Sequence, residues 1–183
     1  MHARYQGGAG LPAAVPRVTA AWWQGLCRDW ADPQLRAHAG RHPPATTARA
    51  RALVSRAARL PAAATLLAGL PVTLLHGDVH PGNVLAGAGQ VTLIDWGSSR
   101  AGPAALDLAS LVTAGSAEVA RYAATWQRVT GQPLLAGTIE RGYRRAALQI
   151  PVQYLPWTAG RRPAADVEAA LDRIERALEQ LAA

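Results

Sequence analysis

The 183 residues contain no lysine and no phenylalanine, one cysteine (Cys27), one methionine and one asparagine (Asn83). A lone cysteine excludes an intrachain disulfide and a fold stapled for an oxidising compartment, so the expected location is the cytoplasm. Long apolar runs are also missing. The longest, Leu60 to Leu75, is broken by Pro61 and Pro71 and falls short of the roughly 18 to 20 residues that span a bilayer. Met1 to Gly10 is polar and glycine-rich where a secretory signal would place its apolar stretch. All 19 basic side chains are therefore arginines, the profile of a GC-rich gene. In a composition that avoids asparagine, the one copy marks a position with a chemical requirement.

The formal charge of +7 is concentrated before residue 76, where nine Arg face two Asp; residues 76–183 carry ten charges of each sign. Arg49, Arg51, Arg56 and Arg59 could attract nucleic acid or phosphate over long range. No aromatic residues interleave with them for base stacking, so the cluster reads as a solvated helix face and nucleic acid is not an expected partner. The length suits one domain spanning 1–183, which would bury roughly 70% of its unfolded surface.

Residues 1–17 show no sustained period and are expected to be irregular. Residues 18–70 read as helical. Thr19 precedes a short run with Trp22, Trp23, Leu26 and Trp30 directed to the core; Thr46 or Thr47 caps a helix through Arg59, and a further piece follows Pro61. Residues 72–97 change character. Val72 to Leu75 is a β-prone run, and Val84–Ala86 and Val91–Ile94 form a hairpin around Gly87, Ala88, Gly89 and Gln90. From 103 to 183 the pattern is helical again: Pro103 opens one helix, Ser116 caps one ending at Gly131, and Pro133 starts one through Gln149. A last amphipathic helix carries Val167, Leu171, Ile174, Leu178 and Leu181, with Asp172 and Arg176 spaced as a surface pair.

The chemistry is concentrated in His76-Gly77-Asp78-Val79-His80-Pro81-Gly82-Asn83 and Ile94-Asp95-Trp96-Gly97. Phosphoryl transfer needs a carboxylate to orient and deprotonate an attacking hydroxyl, and hard oxygen ligands to hold Mg²⁺ against the phosphates. Asp78 suits the first role. Asn83 and Asp95, at the open end of the hairpin, suit the second, since their side chains can converge on one ion. Gly77, Pro81 and Gly82 permit a tight loop. His76 is expected to brace that loop, and His80 is a candidate contact for phosphate or substrate. The alternation of His76, Asp78 and His80 could instead bind a transition metal, but that leaves Asn83 and Asp-Trp-Gly unexplained.

The spacing of Asp78 to Asn83 is that of the protein-kinase catalytic loop, and Asp-Trp-Gly stands where those enzymes have Asp-Phe-Gly. With His-Gly-Asp-x-His-Pro-Gly-Asn, the sequence resembles the aminoglycoside/choline phosphotransferase family over roughly residues 45–150. The resemblance implies an α+β, predominantly helical fold, a protein-kinase-like C-terminal lobe with a small β-hairpin beside the catalytic loop. It implies ATP or GTP as donor, Mg²⁺, and a small-molecule acceptor: an aminoglycoside, a choline-like amino-alcohol or a sugar. Asp107, in Leu106-Asp107-Leu108-Ala109, matches the family residue that anchors the catalytic loop.

Kinase-fold enzymes also carry an upstream β-rich lobe with a glycine-rich loop and a phosphate-pairing lysine. The 75 residues before His76 read as mostly helical and no lysine exists in the chain, so the N-terminal β lobe is expected to be absent, lost by truncation or supplied by a partner chain. Gly102-Pro103-Ala104 also lacks the acidic residue and proline that often follow this glycine in the family. The alternative reading is a catalytically inactive, pseudokinase-like binding or scaffold module.

Overall fold

The computed structural model describes residues 1–61 and 70–182. In chain order the helices are α1 (Ala20–Gly25), α2 (Asp32–Ala37), α3 (Pro44–Arg59), α4 (Ala105–Leu111), α5 (Ala117–Thr130), α6 (Ala136–Arg161) and α7 (Ala164–Ala182); the strands are β1 (Val72–Leu75), β2 (Val84–Gly87), β3 (Gln90–Leu93) and β4 (Arg100–Pro103). The chain is thus mostly helical with small antiparallel sheets, compatible with the α+β expectation. Two compact units alternate along it, one built from Met1–Val18 and Gly69–Tyr143, the other from Thr19–Ala68 and Arg144–Ala183.

The first unit holds all four strands. β1 pairs antiparallel with β4, Val72 opposite Pro103 and Leu75 opposite Arg100. The other edge of β4 takes the N-terminal segment: Val18 N–H donates to Ala101 O at 2.8 Å and Ala101 N–H to Pro16 O at 2.7 Å. β4 is a correction to the sequence reading, in which Pro103 opens a helix; Pro103 ends the strand, and α4 starts at Ala105. Arg-Ala-Gly-Pro has little strand propensity of its own, and tertiary pairing imposes the conformation. Gly102 belongs there because a Cβ would come within 2.9 Å of both Leu75 Cδ1 and Val18 Cγ2. β2 and β3 form the expected hairpin, closed by Ala88 (φ 48°) and Gly89 (φ 74°), the pair of positive φ angles a type I′ turn demands. In the N-terminal segment His2–Gly8 makes 3₁₀ turns interrupted by non-helical residues.

The second unit is helical. Thr19 caps α1, its hydroxyl accepting from Trp22 N at 3.1 Å, and a π-helical stretch at Leu26–Ala31 joins α1 to α2. α3 begins at Pro44 and not after Thr46 or Thr47, because proline's fixed φ suits the first helical position. Thr46 is buried within the first turn and donates to Glu168 at 2.6 Å. The piece expected after Pro61 lies outside the described residues. α6 continues past the expected stop at Gln149, through Pro151 and Pro156, to Arg161. Leu148, Val152, Leu155 and Ala159 keep one buried stripe across the prolines, so burial prevails over two lost backbone hydrogen bonds. In α7, Val167, Leu171, Ile174 and Leu178 join the core with Trp23, Leu53 and Val54. Trp30 departs from expectation, at 49% exposure.

Two arginines organise this unit differently. Arg145 is fully buried, its guanidinium 4.0 Å from the Trp23 ring centroid, and none of its side-chain nitrogens has a hydrogen-bond partner among the described residues. Burial, partly opposed by Cys27, lowers its pKa to about 10, so it stays charged at neutral pH. Burial also pushes the Cys27 thiol up to about 12 against the pull of Arg145 and Arg28, which leaves it protonated and a poor nucleophile. Arg49, on α3, reaches three carboxylates of α7: Glu168 at 2.7 Å, Asp172 at 2.7 Å and Glu175 at 2.5 Å. Asp172 therefore pairs with Arg49 in place of the expected Arg176. No helix among the described residues is long and apolar enough to cross a membrane.

Arg49→Met should lower stability by about 1 kcal/mol, because the pairs are part-exposed, and most of the difference should vanish in about 1 M salt, where the Debye length is roughly 3 Å. Urea unfolding of both proteins at low and high salt measures this.

Candidate active site

β1 delivers the chain into the turn at His76, and side chains from α4 and β4 hold the main chain of that turn. His76 N–H donates to Asp107 Oδ2 at 2.7 Å and Gly77 N–H to Asp107 Oδ1 at 2.9 Å, so one carboxylate from the first turn of α4 takes two successive amides. From the other side Arg100, on β4, donates to Gly77 O and Ser98 O, each at 3.1 Å. Gly77 sits at φ 83°, and a Cβ there would lie 2.2 Å from Ser98 O. Glycine is required on both counts.

His76 is fully buried, with Nε2 2.7 Å from Ile94 O and Nδ1 accepting Asp78 N–H at 3.3 Å. The tautomer with the proton on Nε2 satisfies both contacts. The ring lies against Trp96, centroids 4.7 Å apart, and Trp96 Nε1–H donates to Leu93 O at 2.9 Å. Asp78 is half-buried, and its carbonyl accepts Asn83 Nδ2–H at 2.9 Å. His80 is exposed and accepts Gly82 N–H at 3.1 Å, shaping the 3₁₀ turn Pro81–Asn83. Asn83 is buried and its carbonyl accepts Ile94 N–H at 3.1 Å, which closes the base of the hairpin. Asp95 follows, exposed and left-handed (φ 61°, ψ 65°), a conformation aspartate tolerates better than most residues and one that recurs at functional sites.

His76, Asp78, Asn83 and Asp107 thus share one hydrogen-bond network. Asp95 is tied to it through Ile94, whose amide and carbonyl both bond into the loop. The Asp95 carboxylate has no hydrogen-bond or ion-pair partner among the described residues, and the His80 side chain bonds among them only to Gly82. The donor set suits magnesium. Asn83 uses its amide nitrogen on Asp78, which leaves the carboxamide oxygen available, and Asp95 adds an uncompensated anionic oxygen. A His/Asp transition-metal cluster does not form: among the described residues no group of three or more His, Cys, Asp or Glu side chains could hold a metal.

One participant was missed from the sequence. His2, in the segment expected to be irregular, places Nε2 3.2 Å from Asp107 Oδ2 and Nδ1 3.0 Å from the Tyr122 hydroxyl. Neither residue has a local signal, since the contact joins positions over a hundred residues apart. Burial raises the pKa of Asp107, but the hydrogen bonds from His2, Gly77 and His76 together outweigh it and hold the carboxyl below the usual range.

Two outcomes follow from this geometry. Gly77→Ala should abolish the native turn, seen as loss of the His76 and Gly77 amide resonances from their wild-type positions. Asp107 has a lower pKa folded than unfolded, so its stabilisation is present above the unfolded value of about 3.9 and lost as pH falls through the folded one. Between pH 7 and 3, Asp107→Asn should therefore lose less unfolding free energy in urea titrations than the native chain.

No curated protein matches the chain. Comparison with protein families matches residues 9–148 to the phosphotransferase enzyme family, a span that contains the loop, the hairpin, Asp95 and Asp107 and begins upstream of the motif-bearing region. With more than half its length matched, and in keeping with the aminoglycoside/choline phosphotransferase resemblance of its motifs, the chain belongs to the phosphotransferase enzyme family.

Proposed function

We propose that the chain is the catalytic part of a kinase that moves the γ-phosphoryl group of ATP or GTP to a hydroxyl of a small molecule, an aminoglycoside, a choline-like amino-alcohol or a sugar. The observation that carries this reading is the pairing at the hairpin base. Asn83 turns its nitrogen to Asp78 and keeps its oxygen available, one hydrogen-bonded residue away from the Asp95 carboxylate, which has no partner among the described residues. No packing requirement explains an exposed, left-handed aspartate beside a buried asparagine.

In this reading Asp78 orients the acceptor hydroxyl and takes its proton as the oxygen bonds to the γ-phosphorus; the bond to the bridging oxygen breaks and the nucleoside diphosphate leaves. Asn83 and Asp95 hold Mg²⁺, which when bound neutralises phosphate charge. Asp107 and His76 keep the loop in shape, and His80, exposed at its rim, contacts phosphate or substrate. With no lysine in these residues, a phosphate-pairing cation within them has to be an arginine, and the proposal includes a glycine-rich lobe supplied from outside them. The cytoplasm, where nucleotide is abundant, is the proposed location.

Asp78→Ala should reduce turnover about 1,000-fold, the scale of a lost general base, with Mg²⁺–nucleotide affinity within a few-fold of the native protein. Asp95→Ala should abolish Mg²⁺-dependent nucleotide binding. Isothermal titration paired with a phosphate-transfer assay over amino-alcohols, sugars and aminoglycosides reads both. Unchanged turnover in Asp78→Ala sinks the assignment; nucleotide binding by the native protein without turnover on any acceptor favours the inactive binding module.

A further inference from the structure

We infer that His2 is a positioning residue for the phosphoryl-transfer loop: it fixes the Asp107 carboxylate against the His76 and Gly77 amides, with Tyr122 orienting its ring. The inference rests on the kinase reading for its effect on turnover, but not for the contact itself.

The Asp107 carboxylate is almost fully buried, at 6% side-chain exposure, and its two oxygens meet three donors, two of them successive amides and the third from the N-terminal segment. Oδ1 takes the Gly77 amide at 2.9 Å, while Oδ2 takes the His76 amide at 2.7 Å and faces His2 Nε2 at 3.2 Å. The terminal torsion of an aspartate is soft. The two amides hold one oxygen each, and the His2 contact gives Oδ2 a second donor that restrains it further. The His2 ring is itself held, at 11% exposure, edge-on to the Tyr122 ring with centroids 5.8 Å apart and planes at 70°. Its main-chain carbonyl accepts the hydroxyl of Thr73, on the strand that feeds the loop.

The hydrogen-bond polarity is consistent along the chain of contacts. Burial, and then the negative charge of Asp107, raise the Tyr122 phenol above its ordinary range, so its O–H is retained and donates to His2 Nδ1. That selects the tautomer with the proton on Nε2, the nitrogen facing Asp107. The sequence of bonds runs from Tyr122 through His2 and Asp107 to the Gly77 amide, one peptide before Asp78.

The test uses the full chain and three variants: His2→Ala, His2→Gln, whose amide can donate near the Nε2 position, and Tyr122→Phe. Amide hydrogen exchange by NMR at His76 and Gly77 should accelerate about tenfold in His2→Ala, the scale of one lost hydrogen bond to a charged group, and by less in Tyr122→Phe. His2→Gln should restore most of the protection, and α7 amides should be unaffected. In the transfer assay kcat should fall about tenfold in His2→Ala with the nucleotide KM within twofold. Unchanged exchange at His76 and Gly77 overturns the inference, as does a uniform acceleration that includes α7. The exchange measurement decides the contact whether or not the chain turns over nucleotide, so failure here and failure of the kinase reading are told apart. Should His2→Ala not fold, the same readout on Tyr122→Phe carries the test.

Discussion

The buried Asp107 carboxylate collects the first two amides after β1, and the shape of the region between β1 and β4 depends on that capture. A turn that reverses direction this sharply leaves main-chain donors facing inward, where an unmet N–H costs roughly 1–3 kcal/mol. Helix α4 brings an acceptor able to meet two at once, and Arg100 meets the outward carbonyls of Gly77 and Ser98. With the turn fixed from both sides, Asp78 needs no bulky packing of its own and can remain half-buried. The carboxylate at the bottom of the loop thus serves the loop's shape, while Asp78 at its rim remains partly open to solvent.

The hairpin extends the same logic by reusing side chains as connectors. His76 reaches Ile94 and stacks on Trp96; Asn83 reaches back to Asp78. Each of these groups satisfies a main-chain atom of a neighbouring segment, which explains how a ribbon of two four-residue strands, exposed along most of its length, keeps a defined position relative to the loop.

Much of this could be read from the sequence because the chemistry restricts residue types. Asp78, Asn83 and Asp95 stood out by spacing and by the scarcity of asparagine, and the hairpin by glycines between β-branched runs. What escaped was set by distant partners. Arg100–Pro103 lacks strand propensity and becomes a strand only between Leu75 and Val18. His2 lies in a segment without periodicity, and its role exists only once Asp107 and Tyr122 are assembled around it. α6 outran its prolines because the buried stripe continued, and α3 started at Pro44 because a proline favours the first turn more strongly than a threonine two residues later caps it. Local signals located the loop and the hairpin; the supports beneath them came from contacts far apart in the chain.

The two units interleave along the chain, since Met1–Val18 belongs with Gly69–Tyr143 while the excursion between them belongs with the C-terminal helices. As the chain emerges from the ribosome, the first unit therefore waits for residues up to Tyr143 and the second for the C-terminal helices. The strand edge formed by residues 16–18 must wait for β4, and Arg49 for α7, so both units mature late and through contacts of high sequence separation, which slow folding and prolong exposure of unpaired edges. A single proteolytic cut within residues 19–68 would sever Met1–Val18 from Gly69–Tyr143, and one near Tyr143 would sever Thr19–Ala68 from Arg144–Ala183, so at either place one cut divides a unit between two fragments.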